Sequence, residues 1–253
     1  MADPVKELEQ LDPSDSMEST LKAILTVLDM LEESKDAEMI RSALTIIGSK
    51  EKEAMDYFLR PMDDDSLYNR LISLHHRMDD EPSVARYRRA LDIRQARKWT
   101  VLGDSQAVVG NHMKAQRYLK RALFFGPMEE VEGEVRSALE RSEKRVQKAQ
   151  REIERTLEKL GANPKSEKLL KDAAGYLIDL DRLDEAAKLN KRLLNLSESE
   201  TAYLYQKGCI LFSNGDYKKA LKLFQDLSEK NPDSLNVKRC LNWTLQMMDG
   251  PGP

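Results

Sequence analysis

Apolar residues recur every three or four positions through most of this chain, which is the spacing of one buried face of an α-helix. Near the C-terminus, two such stripes flank the segment Asn214-Gly215-Asp216, whose residue types favour a tight turn. The stripes comprise Leu204, Gly208 and Leu211, then Ala220, Leu223, Phe224 and Leu227. This pattern predicts two antiparallel helices that pack through their apolar faces.

The same helix–turn–helix pattern occurs three times at constant offsets. Residues 96–129 carry Trp99, Leu102, Gly103, Gly110, Ala115, Leu119, Ala122 and Pro127. Residues 201–234 carry Leu204, Lys207, Gly208, Gly215, Ala220, Phe224, Leu227 and Pro232 at the same places. Residues 167–200 carry Leu170, Ala173, Ala174, Leu177, Asp181, Ala186, Asn190 and Leu193, with Glu198 in place of the proline.

This pattern resembles the tetratricopeptide repeat, which has a Trp-x-x-Leu-Gly run, an alanine, a bulky apolar residue and a closing proline over about 34 residues. The resemblance implies an all-α fold, a right-handed α-α superhelix of antiparallel helix pairs. Such solenoids present a concave groove and bind other proteins.

The rest of the chain fits this array less regularly. We expect 1–15 to be disordered, 16–95 to be an N-terminal helical region of diverged repeats or a cap, 235–248 to be a C-terminal capping helix and 249–253 to be a tail. Within 16–95, Gly48 is expected to end one helix before a shorter one follows. The predicted units are therefore 96–129, then 130–162, then two repeats over 163–234.

Residues 130–162 follow a heptad-like apolar spacing with neither glycine nor proline between Gly133 and Gly161. One interpretation is a single long helix the length of a whole repeat; the other is a degenerate hairpin that turns near Ser142. We favour the long helix, since nothing in the sequence interrupts it.

Composition favours a non-membrane, cytoplasmic protein. Charged residues make up 34% of the chain and aromatic residues 6%. No apolar run reaches the roughly 20 residues that span a bilayer, and the N-terminus lacks an apolar signal core. The two cysteines, Cys209 and Cys240, are too few for a disulfide scaffold.

Charge is unevenly distributed along the chain. Between Arg86 and Arg121 there are ten basic and two acidic side chains, although the net charge of the chain is only −3. The predicted basic patch comprises Arg86, Arg88, Arg89, Arg94, Lys98, Lys114, Arg117, Lys120 and Arg121. This patch favours a partner of acidic character. Two other interpretations are that it binds RNA and that it is an ordinary solvated surface.

Motifs for catalysis, metal binding or phosphate binding are absent from the sequence. The three histidines include an adjacent pair, His75 and His76, whose side chains diverge by about 100° on a helix. We expect a protein without catalytic residues, cofactor or metal.

The resemblance places the groove on the first helix of each pair. The groove residues that it implies are Arg97, Thr100, Asp104, Lys168, Lys171, Tyr205, Gln206, Cys209 and Phe212. Tyr205 and Phe212 are candidate apolar anchors, although packing against the final helix is the alternative. The lysine and asparagine clamp of chaperone-cofactor members is not matched, because Gly175 stands where an asparagine is expected.

These observations predict a scaffold or adaptor that binds a protein segment in the groove. Two alternatives remain open: polyanion binding through the 86–121 region, and homo-oligomeric assembly through the long helix or a repeat end.

Overall fold

A computed structural model describes residues 6, 8, 17–58, 66–125, 129–196 and 200–249. Within these ranges the chain forms eleven helices and no strand. The helices are α1 (Met17–Glu33), α2 (Ala37–Phe58), α3 (Ser66–Arg77), α4 (Glu81–Val108), α5 (His112–Phe124), α6 (Glu129–Ala162), α7 (Glu167–Asp179), α8 (Leu183–Leu194), α9 (Glu200–Ser213), α10 (Tyr217–Lys230) and α11 (Leu235–Asp249). Contacts divide the chain into two compact units, Met1–Arg94 and Gln95–Pro253.

The N-terminal unit has its own apolar core, built from α1, α2, α3 and the first half of α4. Asp36 caps the N-terminus of α2, and its Oδ1 accepts hydrogen bonds from the backbone N–H groups of Glu38 and Met39. Two features differ from the sequence-based expectation. Leu8, within the segment predicted to be disordered, is helical and fully buried in this core. Gly48 lies inside α2 rather than at its end, because a single glycine costs a helix only about 1 kcal/mol.

Helices α3 and α4 are joined by a turn that closes through the backbone. Asp79 adopts a left-handed conformation with φ of 55°, and the N–H of Asp80 donates to the carbonyl of His75. Asp80 then caps α4 by accepting from the N–H of Ser83. This hydrogen-bond pattern is the one that ends a helix with a left-handed residue.

The C-terminal unit contains three turns with this same geometry. A residue of positive φ, either Gly110, Asp181 or Gly215, follows the first helix of each pair. In each turn the next backbone N–H donates to the carbonyl five residues earlier, at 2.8–2.9 Å. The hairpins predicted over 96–129, 167–200 and 201–234 therefore share one turn type. The turn at Asp79 shows that the N-terminal unit uses it as well.

A close contact between facing helices also recurs. A methyl group added to Gly208 would lie 2.7 Å from the Phe224 ring, and one added to Gly103 would lie 2.7 Å from Leu119. In the middle hairpin the equivalent positions hold Ala174 and Asn190, and Asn190 is smaller than Leu119 or Phe224. The first and third hairpins thus combine a glycine with a larger residue that fills the space beside it.

Residues 129–162 form one continuous helix, α6, as the favoured interpretation predicted. Its 34 residues span about 50 Å. One stripe of the helix is buried against α5 and α7, its neighbours along the chain. The prediction of an all-α fold built from helix pairs in series, with one long central helix, is confirmed.

The last helix returns to an early part of the same unit. Val237, Cys240, Thr244 and Met247 form the buried face of α11. The Cys240 thiol lies 3.9 Å from the carbonyl oxygen of Val108, near the end of α4. The concave side of the unit is therefore bounded by α4 as well as by α11.

The first two turns of this unit are joined by side chains. Asp181 accepts a hydrogen bond of 2.7 Å from the buried Asn111 amide and one of 3.0 Å from Arg117. Aspartate is among the few residues with a side chain that tolerate a left-handed conformation. Asp181 therefore serves both the turn and the contact between hairpins.

We expect the replacement of Asp181 by alanine to lower the free energy of unfolding by about 1 kcal/mol, since both hydrogen bonds are lost and the left-handed backbone becomes more strained. Urea denaturation measures the loss. Asp181→Gly relieves the strain but not the loss of hydrogen bonds, so it should recover part of the stability. Equal stability of Asp181→Ala and the parent chain would contradict this role.

Candidate functional site

A cavity of about 830 Å³ lies on the concave side of the C-terminal unit. It is bounded by the end of α4, the middle of α6, the inner faces of α7 and α9, and the start of α11. Its walls mix small and aromatic residues with charged side chains. The lining includes Val108, His112, Arg145, Lys148, Lys171, Gly175, Tyr176, Asp179, Tyr205, Gln206, Cys209 and Asn236.

A second cavity, also of about 830 Å³, adjoins the first. The two share Ala107, Val108, His112, Arg145 and Asn236. The second continues between α6 and α11, where Arg141, Lys144, Arg239 and Trp243 line it. Together the two cavities form what we call the groove.

Five of the predicted groove residues line these cavities. Lys171, Tyr205, Gln206 and Cys209 line the first, and Asp104 lines the second. Thr100 instead lines a smaller cavity of about 370 Å³ between α4 and the beginning of α6. Whether any of these side chains contacts a ligand stays a prediction.

The other three predicted groove residues lie elsewhere. Arg97 and Lys168 line none of these three cavities. Phe212 is fully buried, and its ring packs edge-on against Tyr217 with 5.1 Å between the centroids. The residue spacing on α9 could not distinguish the groove face from the core face, because α9 is largely enclosed by its neighbours.

Polar groups hold the floor of the first cavity in place. The Gln206 side chain donates through Nε2 to the carbonyl of Lys171, at 2.8 Å, while its buried Oε1 has no hydrogen-bond partner among the residues that the structure describes. The Tyr205 hydroxyl lies 3.7 Å from Cys240 Sγ. A hydrogen bond to Cys240, together with burial, raises the pKa of the Cys209 thiol. Cys209 therefore lines the groove as a protonated thiol rather than as a reactive thiolate.

The predicted basic patch is used largely for contacts inside the fold. Arg94 is buried, Arg117 pairs with Asp181 and Lys120 pairs with Glu143. Lys114 donates a hydrogen bond to the Ser213 carbonyl, and the Arg121 guanidinium stacks on the Trp99 ring. Arg86, Arg88 and Arg89 are exposed and lie in the N-terminal unit, and Lys98 is half-buried in the other.

A different row of cations lines the groove, and sequence reasoning missed its role. Arg141, Lys144, Arg145 and Lys148 occupy positions i, i+3, i+4 and i+7 of α6, so they share one side of this helix. All four are exposed to solvent. Their spacing was visible in the sequence, but the acidic residues interspersed along α6, such as Glu143, indicated an ordinary solvated face.

Ser142, His112 and Asp179 come together where the two cavities meet. His112 Nδ1 lies 3.3 Å from Ser142 Oγ, and His112 Nε2 lies 3.8 Å from Asp179 Oδ1. Burial, with a smaller effect of Arg145, lowers the pKa of His112 to about 4, and burial raises the pKa of Asp179 to about 7. Both shifts favour neutral groups, whereas a nucleophilic serine needs a basic imidazole oriented by an ionised carboxylate.

Asp179 should make stability depend on pH. An unfolded aspartate titrates near pH 4, so between about pH 4 and 7 the folded chain holds a proton that the unfolded chain releases. The free energy of unfolding therefore falls as the pH rises through that window. We expect Asp179→Asn to gain about 3 kcal/mol over the parent chain between pH 4.5 and pH 8, measured by urea denaturation. The exposed Asp226→Asn is the control, and a pH-independent difference for Asp179→Asn would contradict the prediction.

Comparison with known proteins identifies one of the three hairpins. A sequence model of the tetratricopeptide repeat matches residues 201–234. No curated protein matches the chain. One solved structure, described as the TPR2AB-domain:pHSP90-complex of yeast Sti1, covers 96% of this chain and 97% of its own, at 13% identity and a TM-score of 0.31. A likeness at this level carries no information on function.

The resemblance inferred from the sequence is confirmed, since residues 201–234 are a tetratricopeptide repeat. Such repeats are generally non-catalytic and mediate interactions between proteins. The chain thus carries the features of a protein-interaction scaffold. No helix in the described ranges is long and apolar enough to span a bilayer.

Proposed function

We propose that this protein is an adaptor that binds a segment of another protein in the groove of its C-terminal unit. The observation that carries the proposal is the groove itself, which crosses α4, α6, α7, α9 and α11 beside an identified tetratricopeptide repeat. Its mixed lining suits an extended chain that offers both apolar and polar groups.

The lining supports this proposal in its details. Tyr176 and Tyr205 line the groove, and Gly175 leaves room beside the Gln206 amide. The amides of Gln206 and Asn236 are of a type that pairs with backbone groups of a bound segment. Rigid helices hold these side chains, so little ordering is needed on binding.

A blocking substitution tests the proposal. A methyl group at Gly175 would meet only the Gln206 amide, at 4.0 Å, so Gly175→Phe should place its ring in the groove and leave the core intact. The parent chain and this variant are immobilised, and the proteins that each retains from a lysate of the source cells are quantified by mass spectrometry. We expect at least one protein to be retained about tenfold less by Gly175→Phe.

Gly161→Phe is the matched control, since nothing lies within 4 Å of Gly161 and it lines none of the three cavities. It should retain the same proteins as the parent chain, and circular dichroism should show that both variants are folded. Equal retention of every protein by Gly175→Phe and Gly161→Phe would reject the groove as the binding site.

Homo-oligomeric assembly is a second candidate, favoured by the exposed apolar side chains of α11. Leu245 and Met248 are 39% and 38% exposed on the last helix. Sedimentation measures the mass in solution, and a monomer at high protein concentration would rule out this candidate.

A further inference from the structure

We infer that the groove recognises an acidic protein segment through the row of cations on α6, which we call the α6 cation row: Arg141, Lys144, Arg145 and Lys148. This inference rests on the proposed function and specifies its ligand. It moves the predicted site of acidic recognition from residues 86–121 to a helix that lies outside the recognised repeat.

The geometry concentrates these charges within the groove. Four cations at positions i, i+3, i+4 and i+7 of a helix span about 10 Å, which an extended chain covers with three or four residues. Lys171 on α7 and Arg239 on α11 add positive charge on the neighbouring walls. An acidic segment can therefore meet cations from three helices.

Two members of the row are available to a ligand. Lys144 pairs with Glu140 at 2.6 Å, and Arg141 donates to Ser137 at 2.7 Å. By contrast, the side chains of Arg145 and Lys148 form no hydrogen bond or ion pair with any other residue that the structure describes. Both are exposed and both line the first cavity. Ligand carboxylates can bind them without breaking a hydrogen bond or an ion pair between described residues.

The acids of the groove favour a protein segment over a nucleic acid. Asp104 on α4 and Glu167 and Asp172 on α7 line the same two cavities, on walls other than α6. A sugar–phosphate backbone carries a charge on every nucleotide and would be repelled by these walls. A peptide can place carboxylates against α6 and uncharged or basic residues against α7.

A library of random twelve-residue peptides displayed on phage, selected on the full-length chain, tests the inference. We expect the selected peptides to be enriched in clustered Asp and Glu. Fluorescence anisotropy with the labelled peptides then gives the Kd. Arg145→Glu combined with Lys148→Glu should raise the Kd at least about tenfold at 50 mM salt, and the parent affinity should weaken as salt rises.

The matched control is Arg151→Glu combined with Arg155→Glu. These residues are exposed on the same helix and line none of the three cavities, so the charge change is identical but lies outside the groove. We expect less than a twofold change in Kd for this control. An equal loss of affinity in both double variants would overturn the inference, because it would show only a general effect of net charge.

Other outcomes separate this inference from the proposed function. Suppose that the selected peptides bind the parent chain but not Gly175→Phe. If they lack acidic residues, or if they bind the Arg145→Glu/Lys148→Glu chain as tightly as the parent, the acidic ligand is rejected and the groove is still the binding site. Peptides insensitive to Gly175→Phe would reject the groove as well. A labelled twenty-nucleotide single-stranded RNA that binds as tightly as the peptides, and is lost with Arg145→Glu/Lys148→Glu, would overturn the inference in favour of a nucleic acid.

Discussion

Truncation of Phe224 to alanine should lower the free energy of unfolding of the C-terminal unit by about 3–5 kcal/mol. The ring is fully buried, packs onto Gly208 and lies edge-on to Tyr205 with 6.2 Å between the centroids. Because Gly208 has no side chain and helix backbones cannot easily move closer, the space left by the ring should remain largely empty. Urea denaturation followed by circular dichroism measures the loss.

Phe124→Ala serves as the control for this change. Phe124 is 82% exposed at the end of α5, so the same substitution should alter stability by less than about 1 kcal/mol. A similar loss of unfolding free energy in the two variants would mean that the packing of Phe224 on Gly208 does not stabilise the unit.

Gly208→Ala should destabilise the unit even though alanine is the better helix former. A methyl group at this position would lie 2.7 Å and 2.8 Å from two carbon atoms of the Phe224 ring. Overpacking of this kind costs about 1–3 kcal/mol, and the gain in helix propensity returns only about 1 kcal/mol. We expect a net loss of up to about 2 kcal/mol, measured by the same denaturation experiment.

Gly133→Ala is the matched comparison, because Gly133 is exposed inside α6 and has nothing within 4 Å. It should gain up to about 1 kcal/mol from helix propensity alone. In addition, Gly208→Ala should cost little in a chain that already carries Phe224→Ala, since the clash is then absent. A full cost in that background would show that the ring is not the cause.

The elements that could be predicted from the sequence are those specified by local chemistry. Gly110 and Gly215 indicated turns because their residue type permits a positive φ, and both turns form. The continuous α6 followed from the lack of any helix-breaking residue between Gly133 and Gly161. Gly48 shows the limit of this reasoning, since glycine weakens a helix without having to end it.

The groove was less predictable because it depends on how helices distant in sequence meet. The spacing on α9 placed Tyr205, Cys209 and Phe212 in one candidate set, but Phe212 is enclosed by the core. The α6 cation row could not be assigned to the groove until α6 was placed beside α7 and α11. Likewise, most of the predicted basic patch is engaged in contacts that only the folded chain reveals.

The position of α11, whose Cys240 contacts Val108 at the end of α4, determines how this helix can open. The last helix of a linear array is usually the first to open, because it has a neighbour on one side only. Here α11 also forms a wall of the groove through Asn236 and Arg239, so its local opening removes part of the site. A bound ligand must therefore hold α11 closed, and amide hydrogen exchange along this helix should slow as the ligand saturates the protein.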